Sequence, residues 1–437
     1  MNPSSTRVSR RIAVTGLAVA AVTALGTVSV PAHAATPAAS TATAAHALTN
    51  AAAHTPVHAS AHDKRGEVVD FDHLRTFTAD EAREWLASET FDPAAVRYGV
   101  DTYRLIYRTV DVRDRPTTAS GLLVLPRNGE RRLRTVSYTH GTMSVKEQAP
   151  STADDVWGPG AAVTYGGAGF AAVAPDYLGL GKGPGVHPWK NVPSETTAAL
   201  DMLRAARNFV PSVGRELERD VLITGFSQGA SPALGLARAL QEGADPWFRA
   251  RAVAPISGGY DFPGAQLPAM VRGELHPKMS VAYTSYLFTS WDRIHGLYET
   301  PDELFRKPYA SRVEKYFDGT TPGDVMLKGL PGTIKRLLTP RGKALLRHPT
   351  GTFAQALRED ASATMDWTPR MPVRLYKAAG DEQATTANTD HLAARLRARG
   401  AHPEVIDVGG KTYGESLHLG SNLSGTARVA AWFSELR

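Results

Sequence analysis

The chain has 437 residues, a net charge of +6 and no cysteine. That length allows one large domain with an insertion, or two domains. The charge is too mild to argue for nucleic acid, and the missing thiol excludes disulfide scaffolds, thiolate metal sites, cysteine nucleophiles and a lipoprotein anchor.

Residues 1–34 read as an export signal. Arg7, Arg10 and Arg11 precede an apolar run that closes on Ala32–His33–Ala34, a small-residue cleavage site. Thr15, Gly16, Thr23 and Gly26 dilute the run and no basic cluster follows it, so cleavage after Ala34 is expected rather than a membrane anchor. Cleavage removes three arginines and no acid, leaving +3. The pair Arg10–Arg11 keeps both the Sec and the twin-arginine routes open, and the expected location is extracellular. Residues 35–65 form an Ala/Thr-rich linker with too little apolar surface to fold alone. His54, His58 and His62 are four apart there, but no acid or thiol joins them as a metal ligand.

A core follows over residues 66–259. After a polar lead-in, "TYRLIYRTVDVRDRPTTASGLLVLPR" predicts two strands joined by a turn at Asp114–Pro116. "RTVSYTHGT" is a strand ending at Gly141, and "AAVTYGGAGFAAVAPDY" holds a helix end and a strand closed by Pro175. "PSETTAALDMLRAARNFV" is a helix with Pro193 and Ser194 near its start. "RDVLITGF" is a strand running into the helix of "SQGASPALGLARAL", and "RARAVAPISGGY" is another strand. Residues 260–370 show no clear strand. They are helical, aromatic and proline-punctuated, and a structureless loop of that length is implausible, so they are read as a helical cap. Residues 371–437 resume the core with "MPVRLYKAAGDE" (strand), "TDHLAARLRARG" (helix), "HPEVIDVGG" (strand) and "SNLSGTARVAAWFSEL" (helix). The expected class is α/β: a mostly parallel sheet with helices on both faces and a helical cap inserted before the penultimate strand.

"GFSQG" fits G-x-S-x-G between a strand and a small-residue helix. In such an elbow Ser227 sits on a strained turn, and Gly225 and Gly229 let strand and helix cross closely. An N-cap serine between incidental glycines is the plainer alternative. A serine hydroxyl needs a base, and the base an orienting acid, in the chain order Ser, acid, His for this sheet type. Asp381 directly follows a strand and His418 lies between the last strand and the last helix, so both occupy the expected slots. Glu382 is the fallback acid. His391 falls within a helix, while His402 and Asp366 fall at the opposite sheet edge. The oxyanion of acyl transfer needs backbone N–H donors, and Gln228 and Thr142 are the candidates. His140, Gly141, Asp176 and Tyr177 are candidate pocket residues, with a structural role for the last two equally open.

These residues resemble the α/β-hydrolase superfamily. More narrowly, "SYTHGT", "PDYLGLGKGPGVHP", "GFSQGA", "AGDE" and "SLHLG" look like the secreted lipase/esterase family that includes the fungal lipase A type and its bacterial relatives. The resemblance covers about residue 70 to the C-terminus and is weakest in the cap. It implies a serine ester hydrolase with a helical lid over an acyl site, and it transfers roles to Ser227, Asp381 and His418. "SQGA" is also similar to cutinases, but those are shorter and disulfide-linked. The expected function is a secreted carboxylic-ester hydrolase, monomeric, acting on a small-molecule or lipid ester without metal or cofactor. A peptidase on the same fold would need acids of the cap, Glu274, Asp292, Glu299 or Glu303, to hold the substrate amine. A non-catalytic binding protein would need a broken triad. The basic stretch "MLKGLPGTIKRLLTPRGKALLRHP" either docks weakly on an anionic lipid surface or forms a solvated cap face.

Overall fold

The computed structural model describes residues 64–436. The expected export signal, nearly all of the expected linker and its three histidines lie outside the described residues. Nine strands form one sheet in the order β1-β2-β3-β5-β4-β6-β7-β8-β9. They are β1 (Val68–Phe77), β2 (Val100–Val110), β3 (Pro116–Pro126), β4 (Arg132–Thr139), β5 (Ala171–Pro175), β6 (Glu216–Phe226), β7 (Arg249–Ile256), β8 (Arg374–Lys377) and β9 (Glu404–Asp407). The pairings β1-β2, β2-β3 and β3-β5 are antiparallel and the rest are parallel.

The β2–β3 turn forms because Asp111 accepts from the backbone N–H groups of Arg113 and Arg115 (2.8 and 3.0 Å), while Asp114 takes φ = +56°. The polar lead-in of the sequence is in fact β1 followed by helix α1 (Ala79–Ser88). β1 is an edge strand whose side chains are mostly exposed, so it lacks the apolar pattern of a half-buried strand. α1 carries a capping box: Thr78 Oγ1 accepts from the Glu81 N–H, and the Glu81 carboxylate accepts from the Thr78 N–H.

Strands β4, β5, β6 and β7 are covered on both faces, which is why they read as near-continuous apolar runs. On one face α3 (Val192–Phe209), α4 (Ala230–Gln241) and α12 (Ala387–Ala398) pack Ala199, Leu203, Leu234 and Leu392 against Val221, Ile223 and Val253. On the other, α1, α2 (Gly160–Gly167) and α13 (Leu417–Glu435) pack Leu86, Tyr165, Leu423 and Phe433 against Val136, Leu222 and Ala254. Each fully buried Leu or Ile contributes roughly 1.5–3 kcal/mol relative to exposure, so this two-sided burial fixes the sheet.

Between β7 and β8 the chain is helical: α5 (Leu267–Arg272), α6 (Pro277–His295), α7 (Val313–Tyr316), α8 (Gly323–Gly329), α9 (Ile334–Leu337), α10 (Pro340–Arg347) and α11 (Gly351–Met365). These helices share an apolar cluster of their own, including Leu287, Phe288, Phe305, Leu327, Leu337 and Leu346. Burying those leucines leaves Lys328, Lys335, Arg336, Arg341 and Arg347 exposed on the outside of the basic stretch. No helix among the described residues is long and apolar enough to cross a membrane.

Candidate active site

The parallel strands all end on one edge of the sheet, and β4 is flanked there by β5 on one side and β6 on the other. Chains leaving such neighbours in opposite directions open a crevice. β6 ends at Phe226, and the next residue, Ser227, holds φ = +55°. A left-handed backbone costs a residue with a Cβ about 1–2 kcal/mol, so the packing around it must hold it there. A Cβ on Gly225 would sit against Thr139 Oγ1 and the Gly229 carbonyl, and one on Gly229 against the carbonyls of Thr139 and His140. Thr139 Oγ1–H then donates to the Gly229 carbonyl at 2.7 Å, closing the elbow onto β4. Tyr177, Lys190 and Ser257 also take positive φ, so four of the six such non-glycine residues among the described ones surround this edge.

His418 Nε2 lies 2.8 Å from Ser227 Oγ, and its Nδ1 lies 2.8 Å from Asp381 Oδ2. A carboxylate only accepts, so Nδ1 carries the proton and Nε2 accepts from the serine hydroxyl. Asp381 Oδ1 accepts from the N–H groups of Gln383 and Ala384, both at 2.8 Å, which aims Oδ2 at the ring. The Phe226 ring packs on the imidazole at 4.9 Å. His418 does not lie on a loop ahead of the last helix, as the sequence suggested. It stands in the first turn of α13, which begins four residues early because Ser416 Oγ caps the Leu419 N–H at 3.1 Å. Glu382 points elsewhere: it accepts from Ser416 Oγ and from the N–H groups of Leu417 and His418 (3.1 and 3.2 Å).

His140 Nδ1 lies 2.7 Å from the Gly141 carbonyl, and burial pushes the imidazole down to about 4, keeping it neutral. Donation to that carbonyl fixes the 141–142 peptide, and its trans geometry turns the Thr142 N–H away from the ring. That N–H has no partner among the described residues. Thr142 is held from the other side, where Trp189 Nε1–H donates to its Oγ1 at 3.1 Å. Trp189 in turn stacks between Tyr283 and Tyr286 of α6 (5.8 and 4.9 Å).

Two small cavities meet Ser227 and His418. One of about 20 Å³ runs past His140, Gly141, Trp157 and Phe226. The other, of about 30 Å³, is lined by Thr142, Gln228, Lys190, Phe262 and Tyr283. A larger cavity of about 520 Å³ begins at Gln383, which lines all three, and runs out past Met279, Leu327 and Tyr413. Asp176 and Tyr177 are not pocket walls. Buried Asp176 accepts from Ser120 Oγ (2.6 Å) and from the Ser151 hydroxyl and N–H, and Tyr177 donates its hydroxyl to the His140 carbonyl (3.0 Å). Both brace the loops from behind. The acids of the helical segment are committed away from Ser227: Glu274 pairs with Arg272, Asp292 accepts from the Leu297 and Tyr298 N–H groups, Glu303 pairs with Arg341, and Glu299 is exposed. His391 pairs with Asp261, and Asp366 with Arg395 and Arg399. No group of three or more potential metal ligands comes together among the described residues.

No family model matches the sequence, and no curated protein matches it significantly. Solved structures do. The rice cell wall degrading esterase LipA from Xanthomonas oryzae superimposes with a TM-score of 0.74 at 24% identity, over 85% of this chain and 98% of that one. A ligand-bound form of the same esterase gives 0.72 at 25% identity, over 85% and 98%. Candida antarctica lipase A gives 0.56 at 15% identity, over 78% and 76%. The chain has the α/β-hydrolase fold.

Sequence reasoning missed the polar layer beneath this α/β-hydrolase elbow. The Gln228 side chain donates to Glu195 Oε1 (2.6 Å) and to His187 Nε2 (2.8 Å), and the Lys190 N–H donates to the same Glu195 oxygen (2.9 Å). His187 Nδ1–H donates to the Leu178 carbonyl at 2.9 Å. All four side chains are buried. The one available signal was Glu195, a carboxylate among alanines on the inward face of a helix. Burial pushes Glu195 up to about 8 and pushes His187 down to about 3.

These shifts have opposite signs in stability. Neutral His187 and His140 contribute stability that is present above about pH 6.5 and lost on acidification. Protonated Glu195 contributes stability that is present below its ordinary value near 4.5 and lost as pH rises through about 8. The melting temperature of the wild-type protein is therefore expected to decline between about pH 6.5 and 9, and Glu195→Gln to flatten that limb. Parallel limbs in the two proteins would contradict a protonated Glu195.

Proposed function

We propose that this chain is a serine carboxylic-ester hydrolase for short acyl groups. The hydrogen-bonded row Ser227–His418–Asp381, on a strained elbow at the carboxyl edge of an α/β-hydrolase sheet, carries the reading. His418 takes the Ser227 proton through Nε2 as Oγ attacks the ester carbonyl, and Asp381 steadies the imidazolium that forms. The backbone N–H groups of Gln228 and Thr142 receive the oxyanion. His418 then protonates the leaving alcohol, and a water that it activates releases the acid from the acyl-enzyme.

The acyl group is assigned to the 30 Å³ cavity, since that cavity is shared by Ser227, His418 and both oxyanion residues. A space of that size holds about one or two water-sized groups, which fits acetyl or propionyl and not a fatty chain. The 520 Å³ cavity beyond Gln383 is left for the alcohol. The peptidase alternative loses support, because none of its candidate amine anchors reaches Ser227.

A series of p-nitrophenyl esters tests the proposal, together with a fluorophosphonate probe. The probe is expected to label Ser227, and kcat/KM to fall by more than about tenfold from acetate to octanoate. Equal rates along the series would refute the short-acyl assignment. Absence of label on folded protein would refute the serine mechanism.

A further inference from the structure

Resting on the ester-hydrolase reading, we propose that Lys190 is a specificity-determining residue that selects acyl groups carrying a neutral oxygen on the carbon next to the ester carbonyl, such as 2-hydroxyacyl groups.

Lys190 is 2% exposed, yet it lines the 30 Å³ cavity beside Ser227. A buried ammonium must spend its N–H bonds on acceptors. Two are spent: one on Ser231 Oγ at 3.0 Å, one on Asp360 Oδ2 at 3.3 Å. The third has no oxygen or nitrogen acceptor among the described residues; the ammonium lies 5.5 Å from the centroid of the Phe262 ring, whose face is a weaker partner. Of the other polar side chains on that wall, Gln228 keeps a buried Oε1 without a partner among the described residues, but that atom is an acceptor and cannot donate to a substrate oxygen. Tyr283 donates to Gln383 Oε1, Gln383 Nε2 donates to Ser416 and Glu382, and Gln266 is tied to Gln383, Thr385 and Asn388. The rest of the wall is largely apolar, with Trp189, Phe262 and Ala384. A methyl group against Lys190 leaves that N–H with only the ring face, whereas a hydroxyl oxygen of the same size accepts from it.

The charge balance decides the class of oxygen. The Asp360 carboxylate already faces the ammonium. A second carboxylate would enter a buried site whose cation is spoken for, so a neutral acceptor fits and a dicarboxylic half-ester does not.

The test compares methyl glycolate with methyl propionate, which differ by hydroxyl against methyl. Each kcat/KM is divided by the ester's rate constant for hydroxide hydrolysis, to remove intrinsic reactivity. The wild-type protein is expected to prefer glycolate by about tenfold after that correction, the size of effect a hydrogen bond to a charged donor gives. Lys190→Met, and Lys190→Met/Asp360→Asn, which also removes the orphaned carboxylate, are expected to lose the preference, read as the ratio of the two corrected kcat/KM values within each variant. A corrected wild-type ratio near one, or a preference retained in either folded variant, would overturn the assignment, and the wild-type ratio decides alone if neither variant folds. If folded wild-type protein turns over neither ester, nor p-nitrophenyl acetate, it is the ester-hydrolase reading that fails, and this assignment with it.

Discussion

Ser227→Ala is expected to reduce hydrolysis of p-nitrophenyl acetate by about 10⁴-fold or more while leaving the protein folded. The size follows from the row of hydrogen bonds: without Oγ, His418 has no hydroxyl to deprotonate and no acyl-enzyme forms. The fold survives because the hydroxyl adds little to the packing. Closure of the elbow rests on the two glycines and on Thr139, and an alanine keeps the same Cβ at φ = +55°. Ser227→Gly gives a second readout. Removing the Cβ relieves a left-handed backbone, so this variant should be inactive and at least as stable as Ser227→Ala by thermal melting. Greater stability in an inactive variant is the mark of a residue kept for chemistry at the expense of local strain. Wild-type turnover in either variant would show that Ser227 is an ordinary turn serine.

Much of this arrangement was legible because each element announced itself locally. The alternation of apolar strands with capped helices predicted the sheet, and the glycines flanking Ser227 predicted a close crossing. Asp381 and His418 could be placed by following strand ends. What was not legible depended on contacts between distant segments. β1 was hidden because an exposed edge strand needs no apolar face. The start of α13 was hidden because "SLHLGS" reads as loop, although Ser416 is an adequate N-cap. Lys190 and Asp360 are 170 positions apart, and only the fold tells that they share one buried site. Trp189 and Thr142 meet because α6 clamps the indole, and no motif records that. Local pattern thus specified the row Ser227–His418–Asp381, whereas long-range packing specifies the cavity beside it.

Asp381 and Glu382 illustrate the same division and permit a sharp experiment, since the sequence left both as candidates for the orienting acid. Both touch His418, Asp381 through the imidazole and Glu382 through the backbone N–H. Asp381→Asn is expected to lower kcat by about 10³–10⁴-fold with little change in melting temperature. The backbone N–H groups of Gln383 and Ala384 demand an acceptor at the Oδ1 position. The new amide nitrogen must then take the Oδ2 position and donate to His418 Nδ1. The ring proton moves to Nε2, which can no longer accept from Ser227. Glu382→Gln is expected to do the reverse. Its carboxylate, held below the usual range despite burial by donors that include Ser416, Gln383 and the His418 N–H, neutralises the N-terminal end of the α13 dipole. Removing that charge should cost about 1 kcal/mol of stability and less than about tenfold in kcat. With a lowered value in the fold, this contribution is present above about pH 4.5 and fades as pH falls through the folded value, so wild type and Glu382→Gln should converge in stability under acid. The reverse pattern, an inactive Glu382→Gln and an active Asp381→Asn, would make Glu382 the acid that steadies the imidazolium. Comparable losses of activity in both would mean that the placement of α13, and not the charge on Asp381, limits the reaction.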